Sequence, residues 1–262
     1  MSNGKPEKGH RSREYGQRAS LGVAVPQAST VVEPECNALL PEGVSLIATR
    51  LMGSRKDSKD RLIGYLTNLQ ESLDAFDIAD LDAVGYACTG STYLVGKERD
   101  ERAMRAASER FGYPVISAAQ AVEAALHHLG ARRIAVLSPY PDWLAAEGRR
   151  HWKSLGFTVA DHADAPLDPN DSRSVYQIRS SIIEQQVKGM NLTGVDVVLI
   201  SGTGMPTLRA MPPLALSLGR PVISSNLCLT WALLRATLGD QGIPLPEGGE
   251  ALIGGWSSRV SS

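Results

Sequence analysis

Short apolar runs rich in β-branched residues alternate along this chain with longer stretches whose apolar positions recur every three to four residues. The short runs are "LGVAV" (21–25), "VSLIAT" (44–49), "DAVGYA" (82–87) and "PVIS" (114–117), then "RIAVLS" (133–138), "FTVAD" (157–161), "DVVLIS" (196–201) and "PVIS" (221–224). Each reads as a buried strand. The spacing predicts helices over 57–76, 97–111, 142–154, 172–188 and 207–218, with two more at 118–129 and 226–238. Regular alternation of strand and helix implies α/β architecture with parallel sheets.

The second series repeats the first. Val25-Pro26 and Ser138-Pro139 lie 113 residues apart, as do Gly43-Val44 and Gly156-Phe157. "GYPVIS" and "GRPVIS" lie 107 apart, and Cys88 and Gly202 lie 114 apart. A period kept over half the chain marks an internal duplication. The expectation is two pseudo-symmetric four-stranded lobes: residues 1–19 as a disordered tail, 20–117 with 226–262 as lobe one, and 118–225 as lobe two.

Parallel sheets bind ligands beyond the carboxyl ends of their strands. The stretches at such ends are "PQAS" after the first strand, "CTGST" after the third, and "PYPD" and "GTGMPT" in the second half. Two copies facing each other would enclose one cleft. Thr89, Gly90, Ser91, Thr203 and Gly204 would offer N–H groups and hydroxyls there, a cradle for a carboxylate or an oxyanion. Cys88 is the thiol at these ends, and Gly202 stands at the matching place. N–H groups around Cys88 are expected to lower its pKa and to favour thiolate. Cys36 and Cys228 fall inside helices and read as packing residues. His10 lies in the tail, and His127, His128, His151 and His162 fit helix or loop surfaces, so a Cys–His hydrolase is not supported. "GTGMPT" lacks the Lys-Ser/Thr ending of a phosphate loop.

Composition narrows the classes further. The chain has 262 residues, 43% hydrophobic, enough for one large core or two small ones. Basic and acidic residues nearly balance, 27 against 28, so neither a nucleic-acid nor a membrane partner is expected. No apolar run reaches the ~20 residues of a membrane span. Three scattered cysteines fit a reducing, cytoplasmic setting. No Cys/His cluster has metal-ligand spacing, so no metal is expected. Homo-oligomerisation stays open.

The segments "VEPECNALLPEGVSL", "YACTGS", "SPY", "SGTGMPTLRAMP" and "PVISSNLCLTW" occur in that order. They resemble the aspartate/glutamate racemase superfamily, in its maleate cis-trans isomerase and arylmalonate decarboxylase branch. The resemblance covers roughly residues 20–240. It implies cofactor-independent chemistry at a carbon next to a carboxylate. It places Cys88 as the catalytic thiol and Tyr140 against a substrate carboxylate. Pro26, Ser29 and Asn226 fall on the substrate side, with Gly202 at the position of a second thiol. Racemases of the superfamily carry two thiols; this chain has one, so two-thiol racemisation is disfavoured. Maleate isomerases tend to have Asn where Ser29 stands. The resulting expectation is decarboxylation of a small mono- or dicarboxylic acid, with protonation on one face by Cys88. The alternative is cis-trans isomerisation through addition of Cys88. A carboxylate-binding protein without activity is a third reading.

Overall fold

The computed structural model describes residues 13–54, 57–168, 171 and 173–260. In the first half one or two helices separate each strand from the next. The elements run β1 (Ala19–Pro26), α1 (Val32–Leu39), β2 (Val44–Leu51), α2 (Ser58–Thr67), α3 (Leu69–Asp74), β3 (Ala83–Tyr86), α4 (Thr89–Val95), α5 (Lys97–Phe111) and β4 (Val115–Ser117). The second half repeats the plan. It has α6 (Ala118–His128), β5 (Arg133–Ser138), α7 (Asp142–Ser154), β6 (Thr158–Asp164), α8 (Ser180–Lys188), β7 (Val197–Ile200), α9 (Met211–Leu218) and β8 (Val222–Ser224). Two helices close the chain, α10 (Ser225–Leu238) and α11 (Ser257–Val260).

The eight strands form two all-parallel sheets, ordered β2-β1-β3-β4 and β6-β5-β7-β8. The identical order is the duplication made visible. Within each sheet the central strands are the buried ones: every residue of β3 and β7 is covered, while β2 and β6 lie at edges and are partly exposed. That is the pattern of a sheet covered on both faces. Helix α10 runs back over the first sheet, and Leu229 and Leu233 pack so closely on β3 that a Cβ at Gly85 would stand 3.0 and 3.1 Å from them. Helices α6 and α10 also pack on each other.

Several elements differ from the sequence reading, each for a local reason. The helix expected over 57–76 breaks at Asn68, which ends α2 and starts α3. The stretch 172–188 holds a short 3₁₀ turn at 174–177 before α8. Residues 207–210 form a turn, because the backbone there is bound to a buried carboxylate, and α9 starts only at Met211. Part of the expected tail is ordered: Ala19 already belongs to β1, and Arg13 bonds the carbonyl of Asp80 and pairs with Asp82. Residues 1–12, including His10, lie outside the described residues. His151 was expected at a surface. It is buried on α7, its ring against Tyr93 and Trp152, since the facing lobe covers that side.

Candidate active site

Strand β3 delivers Cys88 to the boundary between the lobes. Ala87 still bonds β1 (N–H to Ala24 O, 3.0 Å), and Cys88, in extended conformation, is the N-cap of α4. The first N–H groups of a helix lack intrahelical partners. Here those of Gly90 and Ser91 face the Cys88 sulfur. Sγ also lies 3.1 Å from Ser91 Oγ, which donates to the Leu62 carbonyl at 2.6 Å. A hydroxyl has one hydrogen to give. With that hydrogen spent on Leu62, the thiol is the donor to Ser91. The Tyr86 hydroxyl is buried beside Cys88 and Ser91 without a well-formed hydrogen bond of its own.

The expected thiolate is not what this arrangement favours. Burial pushes the Cys88 pKa up and outweighs the opposing pull of Ser91, Tyr86 and the two N–H groups. The resting group is a neutral thiol. Burial also raises the other two thiols, Cys36 to about 12 and Cys228 further than Cys36. Neither lies at a strand end.

The second-half loop meets the first directly. Thr203 Oγ1 donates to the Ala87 carbonyl at 2.7 Å, next to Cys88. The Tyr140 and Thr89 hydroxyls lie 2.6 Å apart, and those of Tyr93 and Ser201 2.7 Å apart. Two corrections follow. Ser91 and Thr203 were expected to offer free hydroxyl donors; both hydroxyl hydrogens are already given to main-chain carbonyls, so N–H groups must supply most of any oxyanion cradle. Gly202 leaves no vacant place for a side chain. Its φ is +104°, and a Cβ there would stand 2.9 Å from Pro139 Cδ and 3.2 Å from the Tyr140 hydroxyl. Its N–H donates to Ser225 Oγ at 3.0 Å. Gly204 lies under the Tyr176 ring, 3.2 Å from where its own Cβ would be.

The loop after β1 is a tight turn. The Ser29 N–H donates to Pro26 O at 2.8 Å, and the Ser29 carbonyl accepts from Arg50 at 3.3 Å. Ser224 caps α10 by accepting from the Leu227 N–H at 3.2 Å. Asn226, on the first turn of α10, is fully buried. Its amide donates to Glu35 Oε2 at 2.8 Å and to Thr203 O at 3.1 Å, and its Oδ1 has no partner.

Sequence reasoning missed Glu35. It stands on the buried face of α1 with Val32, Cys36 and Leu39, where a carboxylate is out of place without partners. It finds them across the lobe boundary in the Thr207 N–H and hydroxyl and the Leu208 N–H (3.0 Å), and within its own lobe in Asn226. Every one of these is a donor, which suits an ionised carboxylate, although burial pushes its pKa up. An acidic residue at i+3 in an apolar helical stripe was the available signal. Tyr65 and Tyr176 were missed as well. Burial raises the pKa of both, and the nearby Cys88 sulfur adds to the shift while Arg61 opposes it. Nothing local in the sequence marks them.

A sequence profile of the family described as arylmalonate decarboxylase matches residues 21–246. The chain belongs to this family. Among curated relatives, the maleate isomerase of Pseudomonas putida is 28% identical over 248 residues, covering 90% of this chain and 97% of the relative. That of Nocardia farcinica is 27% identical, covering 88% and 94%. Among solved structures, the Nocardia farcinica maleate cis-trans isomerase bound to TRIS superposes with a TM-score of 0.81 at 23% identity, over 93% of this chain and 100% of that one. A serine variant of the same enzyme carries a covalently bound succinylcysteine intermediate; its TM-score is 0.74 at 23% identity, over 83% and 92%. Arylmalonate decarboxylase itself gives 0.73 at 21% identity, over 89% and 98%. The two-sheet fold is that of these proteins, and the family member described here is a cysteine-dependent enzyme of the same branch. Among the described residues, no cluster of His, Cys, Asp or Glu is arranged to hold a metal, and no helix is long and apolar enough to cross a membrane.

Proposed function

We propose that the enzyme decarboxylates a small malonate-type acid and that Cys88 delivers the proton to one face of the resulting enediolate. The observation that carries this reading is the proton inventory at Cys88: Ser91 has spent its hydrogen on Leu62, and burial keeps the thiol protonated. In the first step the bond between the α-carbon and one carboxylate breaks. CO2 leaves, and the electron pair stays on the remaining carboxylate as an enediolate. N–H groups of the loops at the lobe boundary and the Tyr140 hydroxyl stabilise that charge. The α-carbon then takes the Cys88 proton. The thiolate left behind is met by the Gly90 and Ser91 N–H groups, and by Ser91 Oγ once its hydroxyl turns away from Leu62. The chemistry asks for no metal or organic cofactor.

A second reading is cis-trans isomerisation of an unsaturated diacid. Here the Cys88 thiolate adds to the double bond, the new single bond rotates, and the thiolate leaves again. The first-half position of the thiol and the likeness to maleate isomerases favour it. It requires deprotonating a thiol whose surroundings oppose that.

Proton NMR in D2O with 2-alkyl and 2-aryl malonates, maleate and 2-methylmaleate separates the two. Loss of CO2 with one deuterium at the new C–H is expected, as a single enantiomer where a stereocentre forms. Conversion of maleate to fumarate, with every malonate unchanged, would replace the first reading by the second.

A further inference from the structure

Each decarboxylation consumes one proton, and the thiol that gives it is buried. We propose that the small cavity behind Tyr140 holds one water molecule and that it returns the solvent proton through Ser201, Tyr93, Tyr140 and Thr89. This rests on the proton-donor reading of Cys88.

The cavity offers about 10 Å³ to the centre of a water molecule, about the volume of a single-water site. Tyr93, Tyr140, Ser138, Ser201 and Trp152 line it, and Arg149 and His162 stand at its outer end. It is polar and has an unanswered donor. The Trp152 ring is fully buried, and its Nε1–H is directed at the Tyr93 hydroxyl without making a well-formed hydrogen bond. A buried donor left unsatisfied costs about 1–3 kcal/mol, and a water in this cavity would remove that cost. Ser138 Oγ donates its hydrogen to Asp164 at 3.0 Å, so towards the cavity it can only accept. A water there therefore has both a donor and an acceptor.

From the cavity inwards, hydroxyls follow one another. Tyr93 and Ser201 are 2.7 Å apart, Ser201 also interacts with Tyr140, and Tyr140 and Thr89 are 2.6 Å apart. In both measured pairs either hydroxyl can be the donor. That freedom is what a relay needs, since each member gives one proton and takes one. The inner end is Thr89, the residue next to Cys88, and the Tyr140 hydroxyl feels the Cys88 charge. The glycine at position 148 makes the path fit: a Cβ there would stand 3.0 Å from the Tyr93 ring. The proposal closes the path with a transfer from the Thr89 hydroxyl to the Cys88 thiolate: one solvent proton enters at the cavity, one S–H is restored, and no other species changes.

The test uses the full-length enzyme with a malonate substrate found by the NMR panel. In Ser201→Ala the proton already on Cys88 is untouched, so the first turnover in rapid-quench experiments should stay within about twofold of wild type. Later turnovers should slow by about tenfold or more, giving a burst, and imidazole or another small buffer acid should restore them in proportion to its concentration. Tyr93→Phe keeps the ring packing and should behave alike, which covers a folding defect in the serine variant. Equal slowing of first and later turnovers, absence of buffer rescue, or a wild-type steady-state rate in both variants would overturn the relay. A high-resolution crystal structure with no water at Trp152 Nε1 would do the same. Full activity in Cys88→Ala would instead remove the reading beneath it, so the two failures are distinguishable.

Discussion

The duplication lays two versions of one contact on either side of the lobe boundary. The offset of 113 residues sets Glu35 of α1 against Gly148 of α7, and the offset of 114 sets Tyr93 against Thr207. Each first-named residue touches the partner that the repeat predicts. Glu35 meets Thr207 through hydrogen bonds, and Gly148 meets Tyr93 through packing. On the first side, a buried carboxylate gathers donors from a loop of the other lobe and from Asn226, which locks that loop beside Thr203. On the second, the missing side chain lets an aromatic ring lie flush on a helix and send its hydroxyl to Ser201. The same backbone relation is used once as an electrostatic clasp and once as a packed seam. The thiol follows the same asymmetry, with Cys88 on one strand end and Gly202 on the other.

The largest effect should come from removing that asymmetry at the thiol. Cys88→Ala is expected to lower turnover by about 10²–10⁴, the range for losing a catalytic proton donor. Cys36→Ala and Cys228→Ala, which lie away from the cleft, should keep their rates per folded molecule. Steady-state assays alongside circular dichroism would show it, and a Cys88→Ala enzyme at wild-type rate would end the proposed mechanism.

Next come the two versions of the contact. Glu35→Gln puts an N–H₂ group where donors converge, and removing one partner of a buried charged network costs about 3–5 kcal/mol. Gly148→Ala pushes on the Tyr93 ring and should cost about 1–3 kcal/mol, as overpacking does. Urea unfolding would rank them. A larger loss in Gly148→Ala would reverse the assignment of clasp and seam.

The strands were legible because each buried run is a continuous stretch of β-branched residues, and the duplication because short motifs recur in order. Cys88, Tyr140 and Asn226 were legible as strand-end or motif residues, and the structure brings them to one boundary. The sequence did not reveal what they bond to. Glu35 finds Thr207 across 172 residues and Asn226 across 191, and no local periodicity encodes a pair so distant. His151 was misread because α7 has a polar sequence, with Arg150 before His151 and Lys153 two residues after it, yet His151 is turned towards the facing lobe. The N-terminal turn of α4 was read as a cradle of hydroxyls, and only the three-dimensional partners show that those hydroxyls are already engaged.

The smallest effect concerns His151, whose place in the repeat is held by Ala38 in the first half. Burial lowers its pKa from 6.5 to about 4. The unfolded chain therefore binds the proton more readily. The stability that neutral His151 contributes is present above pH 6.5 and is lost as pH falls towards 4. The loss should be on the order of 1 kcal/mol by pH 5.5. His151→Phe keeps the ring contacts and should flatten the stability profile across that window. Unfolding curves at pH 7.5, 5.5 and 4.5 would measure it; an unchanged slope in the variant would place the acid sensitivity elsewhere.

The positive φ of Gly202 bears on the history open to this chain. Two of the four glycine codons are a single base change from a cysteine codon, so a second thiol can lie one mutation away. Pro139 and the Tyr140 hydroxyl occupy the space that its Cβ would need, and the backbone there has turned to a conformation that side chains resist. A mutant gaining the thiol alone would pay in misfolding before it could profit in chemistry. The route to a two-thiol site is therefore a ratchet, closed until Pro139, Tyr140 and the turn itself have changed together.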